Sequence, residues 1–371
     1  MSKALFPTEK LLLGPGPCNV SARVRGAMAM PLLGHMDKEF ISIMDDCKVM
    51  LREVYDTKNE VTFPVSGTGS AGMDFLMVNF VEPGTRVLVA VNGVFGGRIA
   101  NVSEKIGGKV KRVDFEWGTP ATLEALTAAA AEFEPQIICV VNGETSTGVY
   151  QDFTGLGDLA RKYDALLLAD CVTSLAGMPV HLDAWGVDLA YSGTQKCLAC
   201  PPGLSPVTVS ERALERYAQR KTPVPSFYLD LNEILKYVGS GTAARAYHHT
   251  APINMIYALH QALCEILEEG LEARVKRHHD AANHLIVSLK KYGFEPLVAE
   301  GARLNPLTTL RLPKDFDEAG IRAKLLSEYK IEVGGGLGPL AGKIWRIGLM
   351  GNNANRNTIA ALLGALDEVL G

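Results

Sequence analysis

Short apolar runs alternate with amphipathic stretches along the first two thirds of the chain. Runs that are β-branched or leucine-rich and are closed by Gly, Asn, Asp or Ser predict β-strands. The predicted strands are Glu60–Val65, Arg86–Val91, Lys109–Val113, Gln136–Val141, Ala165–Ala169, Val187–Tyr191 and Pro206–Val209. Helical patterns lie between them over Ala71–Val81, Thr122–Phe133 and Leu156–Tyr163. Apolar strands that alternate with helices predict an α/β fold with a mostly parallel seven-stranded sheet covered by helices.

The pattern changes near residue 253. A long helical stretch begins at Ile253, is interrupted at Gly270 and ends at Tyr292-Gly293. Three shorter strands and two helices are predicted after it. We therefore predict a large domain over residues 15–254 and a smaller C-terminal α/β domain over residues 255–371, on which residues 1–14 are expected to pack.

Composition narrows the class of protein. The 371 residues are 47% hydrophobic and 21% charged, which excludes disordered, coiled-coil and collagen-like classes. Lys and Arg number 37 against 41 Asp and Glu, and the net charge of −4 gives no field of one sign for nucleic acid or a membrane. No membrane span and no signal peptide are predicted. Seven scattered cysteines fit reduced thiols, so a cytoplasmic protein is expected.

A glycine-rich loop follows the first predicted strand. Ser66-Gly-Thr-Gly-Ser-Ala-Gly72 precedes an apolar helix, and such a loop can close its amide groups around a phosphate. The letters also match the G-x-G-x-x-G dinucleotide fingerprint, which requires an Asp or Glu at the end of the next strand. That strand ends here in Val91-Asn92-Gly93. Phosphate binding is therefore favoured, while a nicotinamide-dependent oxidoreductase and a plain turn stay as alternatives.

A carboxylate and a lysine follow two of the other predicted strands. Asp170 ends one strand, and Lys196 follows the strand that ends at Tyr191. A buried lysine can form a Schiff base, and a buried carboxylate can keep a pyridine nitrogen protonated. Taken singly, each residue is better explained as a helix cap or a solvated lysine. Together with the glycine loop they predict pyridoxal 5'-phosphate (PLP) as the cofactor.

Other conspicuous residues do not predict a metal site. Cys197 and Cys200 have C-x-x-C spacing, but no second pair completes a tetrahedral zinc site. His278-His279 lies on a charged predicted helix, where solvated or core histidines are the favoured interpretation.

The motifs described above continue along the chain in a recognisable order. The sequence resembles the class V, fold-type I PLP-dependent aminotransferases, specifically the group of alanine–glyoxylate, serine–pyruvate and serine–glyoxylate aminotransferases. The matching segments are Leu13-Gly-Pro-Gly-Pro17, Leu33-Gly-His-Met36, Ser66-Gly-Thr-Gly69, Asn92-Gly-Val-Phe-Gly96, Gly143-Glu-Thr-Ser-Thr-Gly148, Ala169-Asp-Cys-Val-Thr-Ser174, Ser192-Gly-Thr-Gln-Lys196, Pro201-Pro-Gly203, Tyr247-His-His-Thr250, Gly335-Gly-Leu-Gly338 and Arg346-Ile-Gly348.

The resemblance implies a set of cofactor-binding residues. These are Thr68, Gly69, Ser70, Phe95, Thr145, Asp170, Thr173, Gln195, Lys196, Tyr247 and Thr250. By the same resemblance Lys196 would form the Schiff base, and Asp170 would pair with the pyridine nitrogen. Phe95 would stack on the cofactor ring, and Thr145 would lie near its 3-hydroxyl group. Thr68, Gly69 and Gln195 would hold the phosphate.

The resemblance also implies a substrate site and a homodimer. Arg346 would bind the substrate carboxylate through two parallel hydrogen bonds, which a planar guanidinium does better than an ammonium. Backbone around Gly16 and Gly34, together with Thr145, would enclose the substrate. Tyr247 and Thr250 match residues that reach the phosphate of a neighbouring subunit, so the active sites would be shared across the dimer.

The function implied is transfer of the amino group of alanine or serine to glyoxylate or pyruvate. Some relatives carry His at the position of Ser70 and Trp at the position of Phe95, so the donor is not identified by these residues. Pyridoxamine and 2-aminoethylphosphonate with pyruvate stay as alternative donors. A cysteine desulfurase is disfavoured because Cys264, in a predicted helix, is the last cysteine. The intact Asp170, Lys196 and Arg346 argue against a non-catalytic module.

Overall fold

A computed structural model describes residues 5–239 and 244–370. The seven strands of its larger sheet are β2 (Val61–Ser66), β3 (Arg86–Val91), β4 (Lys109–Asp114), β5 (Ile137–Val141), β8 (Leu166–Asp170), β9 (Leu189–Tyr191) and β10 (Leu204–Val209). Their order across the sheet is β2-β10-β9-β8-β5-β3-β4. Only β10 within this sheet runs antiparallel to its neighbours. The predicted α/β fold with a mostly parallel seven-stranded sheet is confirmed.

Helices cover the large sheet. Those of residues 5–239 are α1 (Ala22–Met28), α2 (Lys38–Tyr55), α3 (Gly69–Phe80), α4 (Val94–Lys105), α5 (Leu123–Phe133), α6 (Leu156–Lys162), α7 (Glu211–Ala218) and α8 (Leu231–Val238). Local sequence explains α2: the Asp37 side chain accepts a hydrogen bond from the Glu39 N–H at its start. Phe40, Met44 and Leu51, spaced by about one or two helical turns, lie on its buried face.

The long helical stretch of the second half consists of two helices. α9 (Ile253–Glu269) ends before Gly270, whose φ of +82° breaks the helix, and α10 (Leu271–Leu289) follows. Residues Ile256, Leu259 and Leu263 of α9 belong to the same buried cluster as the large sheet. The helix at the start of the predicted second domain thus packs on the core of the first, and the boundary between residues 254 and 255 stays a prediction.

The five strands of a second sheet are β1 (Leu11–Leu13), β11 (Glu295–Pro296), β12 (Leu307–Arg311), β13 (Ile331–Gly335) and β14 (Ile344–Gly348). Their order across the sheet is β1-β13-β14-β12-β11. β1 pairs in parallel with β13, which joins the start of the chain to this sheet. Of the residues predicted to pack here, 1–4 lie outside the described part. Four strands follow Gly293 where three were predicted, because β11 has only two residues and leaves no pattern.

The core of the second sheet is separate from that of the first. Trp345, Phe294 and Leu285 are fully buried in it. Two further helices, α11 (Glu318–Ser327) and α12 (Arg356–Leu370), flank this sheet together with α10. A short hairpin, β6 (Gly143–Glu144) with β7 (Val149–Tyr150), lies between β5 and α6. Over the described ranges, none of the helices has the length and apolar character needed to cross a membrane.

Candidate active site

Polar side chains and glycine backbone meet at the carboxyl edge of the large sheet. Asp170 is the last residue of β8, and Lys196 lies in the turn after β9. Gly69 follows β2 and Phe95 follows β3, while Arg346 reaches the same region from β14 of the second sheet. Ligands bind at this edge in open parallel sheets.

The buried carboxylate of Asp170 accepts hydrogen bonds from two uncharged groups. The Tyr191 hydroxyl donates to Oδ2 over 2.5 Å, and the Val172 N–H donates to Oδ1 over 2.9 Å. Only 2% of Asp170 is exposed. Burial raises the pKa of Asp170 to about 6, although both hydrogen bonds oppose this shift. Among the described residues no Lys, Arg or His nitrogen lies within 4.0 Å of this carboxylate, so it can accept a further positively charged partner.

Lys196 is a buried amine. It is 8% exposed, and its Nζ donates a hydrogen bond to the Pro15 carbonyl oxygen. Burial lowers the pKa of the Lys196 amine to about 8, and the positive charge of Arg346 acts in the same direction. An amine with this pKa is partly neutral near pH 7 and can act as a nucleophile or a base.

Gly16 packs directly against the Lys196 side chain. A Cβ atom at Gly16 would lie 2.7 Å from Lys196 Cδ and 2.9 Å from its Nζ. The φ of Gly16 is +101°, a conformation that other residues rarely adopt. A side chain at this position would therefore displace the lysine, which explains the glycine in this motif.

The glycine loop leads into the first turn of α3. Thr68 is the N-cap residue, but its side chain makes no capping hydrogen bond. The Ala71 N–H bonds the Thr68 carbonyl over 2.7 Å, whereas the N–H groups of Gly69 and Ser70 have no partner in the described part of the chain and remain available to an anion. Thr68 and Ser70 are exposed, whereas Gly69 is buried. A Cβ atom at Gly69 would lie 3.6 Å from the Ser192 carbonyl oxygen, which places the loop against the end of β9.

Gln195 has an unpaired buried oxygen. Within the described chain its Oε1 is inaccessible to solvent and has no hydrogen-bond partner. A buried polar atom without a partner costs about 1–3 kcal/mol. The amide of Gln195 packs next to Gly193, where a Cβ would lie 2.9 Å from Oε1. Turned over, the amide would present its NH2 group, which suits an anionic oxygen.

Phe95 lies in the first turn of α4 and is half-buried. The guanidinium carbon of Arg98 lies 4.8 Å from the centre of the Phe95 ring, which is a cation–π contact. A flat ligand ring can stack on the opposite face of Phe95.

Arg346 is held by two backbone carbonyls. Its Nε donates to Gly335 over 2.7 Å, and its Nη1 donates to Thr145 over 3.2 Å. Burial lowers the pKa of the Arg346 guanidinium from its ordinary value, but an arginine stays charged at neutral pH. A guanidinium has five N–H donors, so this fixed cation retains donors for a carboxylate.

Two predicted threonines are buried beside these groups. Thr145 supplies the carbonyl that holds Arg346, and its side chain is buried. The carbonyl of Thr173, another buried residue, accepts a hydrogen bond from the Cys197 thiol over 3.3 Å. This contact joins the turn after β8 to the residue that follows Lys196.

Besides Thr68 and Ser70, three more predicted residues lie at the surface. Gly34, Tyr247 and Thr250 are all exposed, with Tyr247 at 64%. The Tyr247 ring lies 5.1 Å from the ring of His35, next to Gly34. The neighbouring His249 contacts the Ser66 hydroxyl over 2.8 Å, so this surface borders the glycine loop. Within one chain these residues are not assembled around Asp170 and Lys196.

Sequence reasoning missed three groups at this edge. Glu144 is fully buried at the start of α4, Tyr191 binds Asp170, and the Pro15 carbonyl binds Lys196. Glu144 lies in a motif quoted for the resemblance, and Tyr191 ends a predicted strand. The sequence gives no signal for their roles, because these roles depend on hydrogen bonds between residues that are far apart in the chain.

The residues present fit PLP. The N–H groups at the start of α3 suit a phosphate, and the Gln195 amide would add an NH2 donor once it is turned over. Among residues 5–239 and 244–370, no cationic side chain lies within hydrogen-bond reach of Asp170, and a protonated pyridine nitrogen would supply such a partner. Lys196 provides the buried amine that an aldehyde requires.

Comparison with known proteins agrees with this geometry. The family model described as aminotransferase class-V matches residues 25–350. The alanine–glyoxylate aminotransferase of Felis catus is 40% identical over 363 residues, which cover 98% of this chain and 88% of that protein. The (S)-ureidoglycine–glyoxylate transaminase of Bacillus subtilis (strain 168) is 34% identical, with 97% and 90% covered. The crystal structure of an alanine–glyoxylate aminotransferase from Nostoc sp. has a TM-score of 0.98 and 45% identity, covering 100% of this chain and 98% of that one.

Proposed function

Because the chain belongs to the class V aminotransferases, which are PLP-dependent transferases, we propose that it transfers the amino group of alanine or serine to glyoxylate or pyruvate. The observation that carries this proposal is the buried pair of Lys196 and Asp170 at one sheet edge, faced by the fixed guanidinium of Arg346. The two relatives named above share glyoxylate in their names and differ in the donor. Glyoxylate is therefore the acceptor that we favour.

Lys196 is the proton carrier in this proposal. PLP, when bound, supplies an aldehyde that takes up the amino group and a pyridine ring that delocalises negative charge. The Lys196 amine would take a proton from the α-carbon of the substrate and release it to the carbon that carried the cofactor's aldehyde oxygen, on the other side of the transferred nitrogen. A pKa of about 8 allows both steps near neutral pH. Its hydrogen bond to the Pro15 carbonyl holds the amine at this place.

Asp170 would orient the cofactor, and Arg346 would orient the substrate. The Asp170 carboxylate, oriented by Tyr191 and Val172, would hold a proton on the ring nitrogen of the cofactor. The remaining donors of Arg346 would bind the carboxylate that amino acids and 2-oxo acids share. Both contacts orient small substrates while the reacting carbon stays next to Lys196.

We also propose a homodimer with shared active sites. Phe227, Tyr228 and Tyr247 are large and exposed, and the Tyr228 hydroxyl donates to the Ser66 carbonyl at the edge of the glycine loop. A group of exposed aromatic side chains favours a protein partner. A second copy on this surface would bring its Tyr247 and Thr250 towards that loop, as the resemblance implies.

Visible absorption spectroscopy tests both PLP binding and the role of Lys196. Purified protein should show a visible absorption band that borohydride removes, and Lys196→Ala should lose both the band and the activity. Lys48→Ala is the matched control, because Lys48 is also largely buried but binds the carbonyls of Val238 and Gly239 away from the site. A Lys196→Ala variant with full activity would overturn the proposal.

The donor is tested by a panel of substrates. Alanine, serine and (S)-ureidoglycine should be assayed with glyoxylate and pyruvate, and pyridoxamine and 2-aminoethylphosphonate with pyruvate. We expect the highest kcat/KM for alanine or serine with glyoxylate. A kcat/KM that is highest for one of the other donors would replace our assignment and leave the aminotransferase chemistry in place.

The shared site is tested by mixing variants. Light scattering should give the mass of a dimer. Lys196→Ala and Thr250→Ala homodimers should each have low activity, and reassembled mixtures should regain activity because hybrids contain one intact site. No gain on mixing would contradict shared sites, and a monomer mass would contradict the dimer itself.

A further inference from the structure

The buried carboxylate of Glu144 lies next to the backbone of Phe95. It has no role in the function proposed above. Glu144, the last residue of β6, has no exposed surface. Its Oε2 accepts hydrogen bonds from the N–H groups of Phe95 over 2.9 Å and Gly96 over 3.3 Å. Its Oε1 accepts from both the N–H (3.0 Å) and the hydroxyl (2.5 Å) of Ser146. Four donors thus converge on one side chain.

These bonds complete the start of α4. The first N–H groups of a helix have no partner within the helix and need an acceptor. The N-cap residue, Gly93, has no side chain to provide one, and the Ser146 hydroxyl accepts from the Val94 N–H over 2.9 Å. Glu144 and Ser146 therefore cap α4 from a different part of the chain. A Cβ at Gly93 would lie 2.5 Å from the Glu144 Cδ, so the glycine makes room for this cap.

The same segment also holds the substrate arginine. Thr145, between Glu144 and Ser146, accepts the hydrogen bond from Arg346 Nη1 through its carbonyl. The orientation of that carbonyl depends on the backbone on either side, which the Glu144 bonds fix. The negative charge of Glu144 also acts on Arg346 and on Asp170. One carboxylate is thus connected with the stacking ring and with the cation for the substrate.

We propose that Glu144 is a positioning residue, which sets the Phe95 ring for the cofactor and the Arg346 guanidinium for the substrate carboxylate. This inference rests on the roles proposed above for Phe95 and Arg346. All four hydrogen bonds that Glu144 accepts come from protein groups, so in this proposal it acts through Phe95 and Arg346. Its replacement should therefore change binding of both more than it changes the rate of the chemical step.

The test is Glu144→Gln with separate measurements of structure and binding. The amide would place an NH2 group opposite N–H donors, leaving one of them unpaired. We expect the dissociation constant for PLP and the KM for the amino donor each to rise about tenfold or more, with a smaller change in kcat. In the protein without cofactor, hydrogen exchange of the Phe95 and Gly96 amides should become about tenfold faster.

Asp188→Asn is the matched control for a purely structural effect. Asp188 is also fully buried and accepts a backbone N–H, from Leu167, at the opposite edge of the sheet. This variant should lose stability but keep the PLP dissociation constant and the donor KM of the original protein. Equal effects of both variants on these constants would overturn the positioning role of Glu144.

Other outcomes are also decisive. If Glu144→Gln does not fold, Ser146→Ala removes part of the same cap and should shift exchange and KM in the same direction by a smaller factor. Unchanged PLP affinity and donor KM in a folded variant would overturn this inference alone. If the unmodified protein binds no PLP, the proposed function fails instead, and faster exchange at Phe95 would then show only the capping role.

Discussion

Two buried aspartates at opposite ends of neighbouring strands have contrasting surroundings. Asp188, just before β9, is bound by Arg212 over 2.8 Å and by Arg161 over 3.4 Å. Asp170, at the end of β8, has only the neutral donors Tyr191 and Val172. Both carboxylates are removed from solvent, but only Asp188 has charged partners within the described residues.

This difference distinguishes a carboxylate that supports the fold from one that we propose to bind the cofactor. A buried charge is stable when it is paired and costly when it is not. The pairing of Asp188 fixes the amino ends of the strands, where no chemistry is proposed. The Asp170 carboxylate, whose pKa burial raises to about 6, destabilises the protein when no cofactor is bound, and in the proposed function the protonated pyridine nitrogen would be its charged partner.

The largest effect on stability is expected at the paired aspartate. Asp188→Asn would weaken the charge-assisted hydrogen bonds that Asp188 accepts from Arg212 and Arg161 and would place an NH2 group opposite buried donors such as the Leu167 N–H. Because each hydrogen bond to a charged group contributes about 1.5–3 kcal/mol, the summed loss should exceed that of the other variants. Urea denaturation of the cofactor-free protein measures the change. The cofactor band should persist at low urea concentration. A stability equal to that of the original protein would show that Asp188 and Asp170 do not differ in the way described.

Asp170→Asn should have the opposite effect in the cofactor-free protein. With its pKa near 6, folded Asp170 keeps a proton that the unfolded chain releases near pH 4. Stability of the original protein should therefore fall as the pH rises from about 4 to about 6 and then remain level. The variant has no such loss, so at pH 8 it should be more stable by about 2–3 kcal/mol, while losing PLP-dependent activity.

Denaturation curves of both proteins at about pH 4.5 and pH 8 test the sign. The difference in unfolding free energy should be small at the lower pH and favour the variant at the higher one. An equal difference at both values would mean that Asp170 does not titrate in this range. With saturating PLP the order should reverse, because only the aspartate can pair with the ring nitrogen.

The strands and the positions of Asp170 and Lys196 at the sheet edge can be predicted from the sequence, but the groups that hydrogen-bond to these two side chains cannot. Each of the seven predicted strands overlaps a strand of the large sheet, because apolar runs closed by turn residues are a local signal. Asp170 and Lys196 lie at the predicted edge, since both follow strands of one parallel sheet. Their roles in binding and catalysis stay predictions that the experiments above address.

Long-range contacts have no local signal. Glu144 caps a helix that begins at Val94, and the Pro15 carbonyl meets Lys196 across most of the large domain's sequence. The burial of α9 on the core of the large sheet likewise depends on α1 and α2, far earlier in the chain. Hydrophobic periodicity predicts α9 but does not indicate which sheet it covers.

Among the variants at the sheet edges, the smallest change in stability is expected at Gly16. Gly16→Ala would force a Cβ into the Lys196 side chain at a φ of +101°, which costs about 1–2 kcal/mol. Because the methyl group displaces the lysine that is proposed to move the proton, activity should fall about tenfold or more. Gly26→Ala in α1 is the control, since no atom lies within 4 Å of a Cβ there, and it should raise stability by about 0.5–1 kcal/mol. Equal activity of the two variants would show that the close approach of Gly16 to Lys196 does not determine the position of the amine. The contrast between the edge of the sheet that holds Asp188 and the edge proposed to be catalytic would then depend on Asp170 alone.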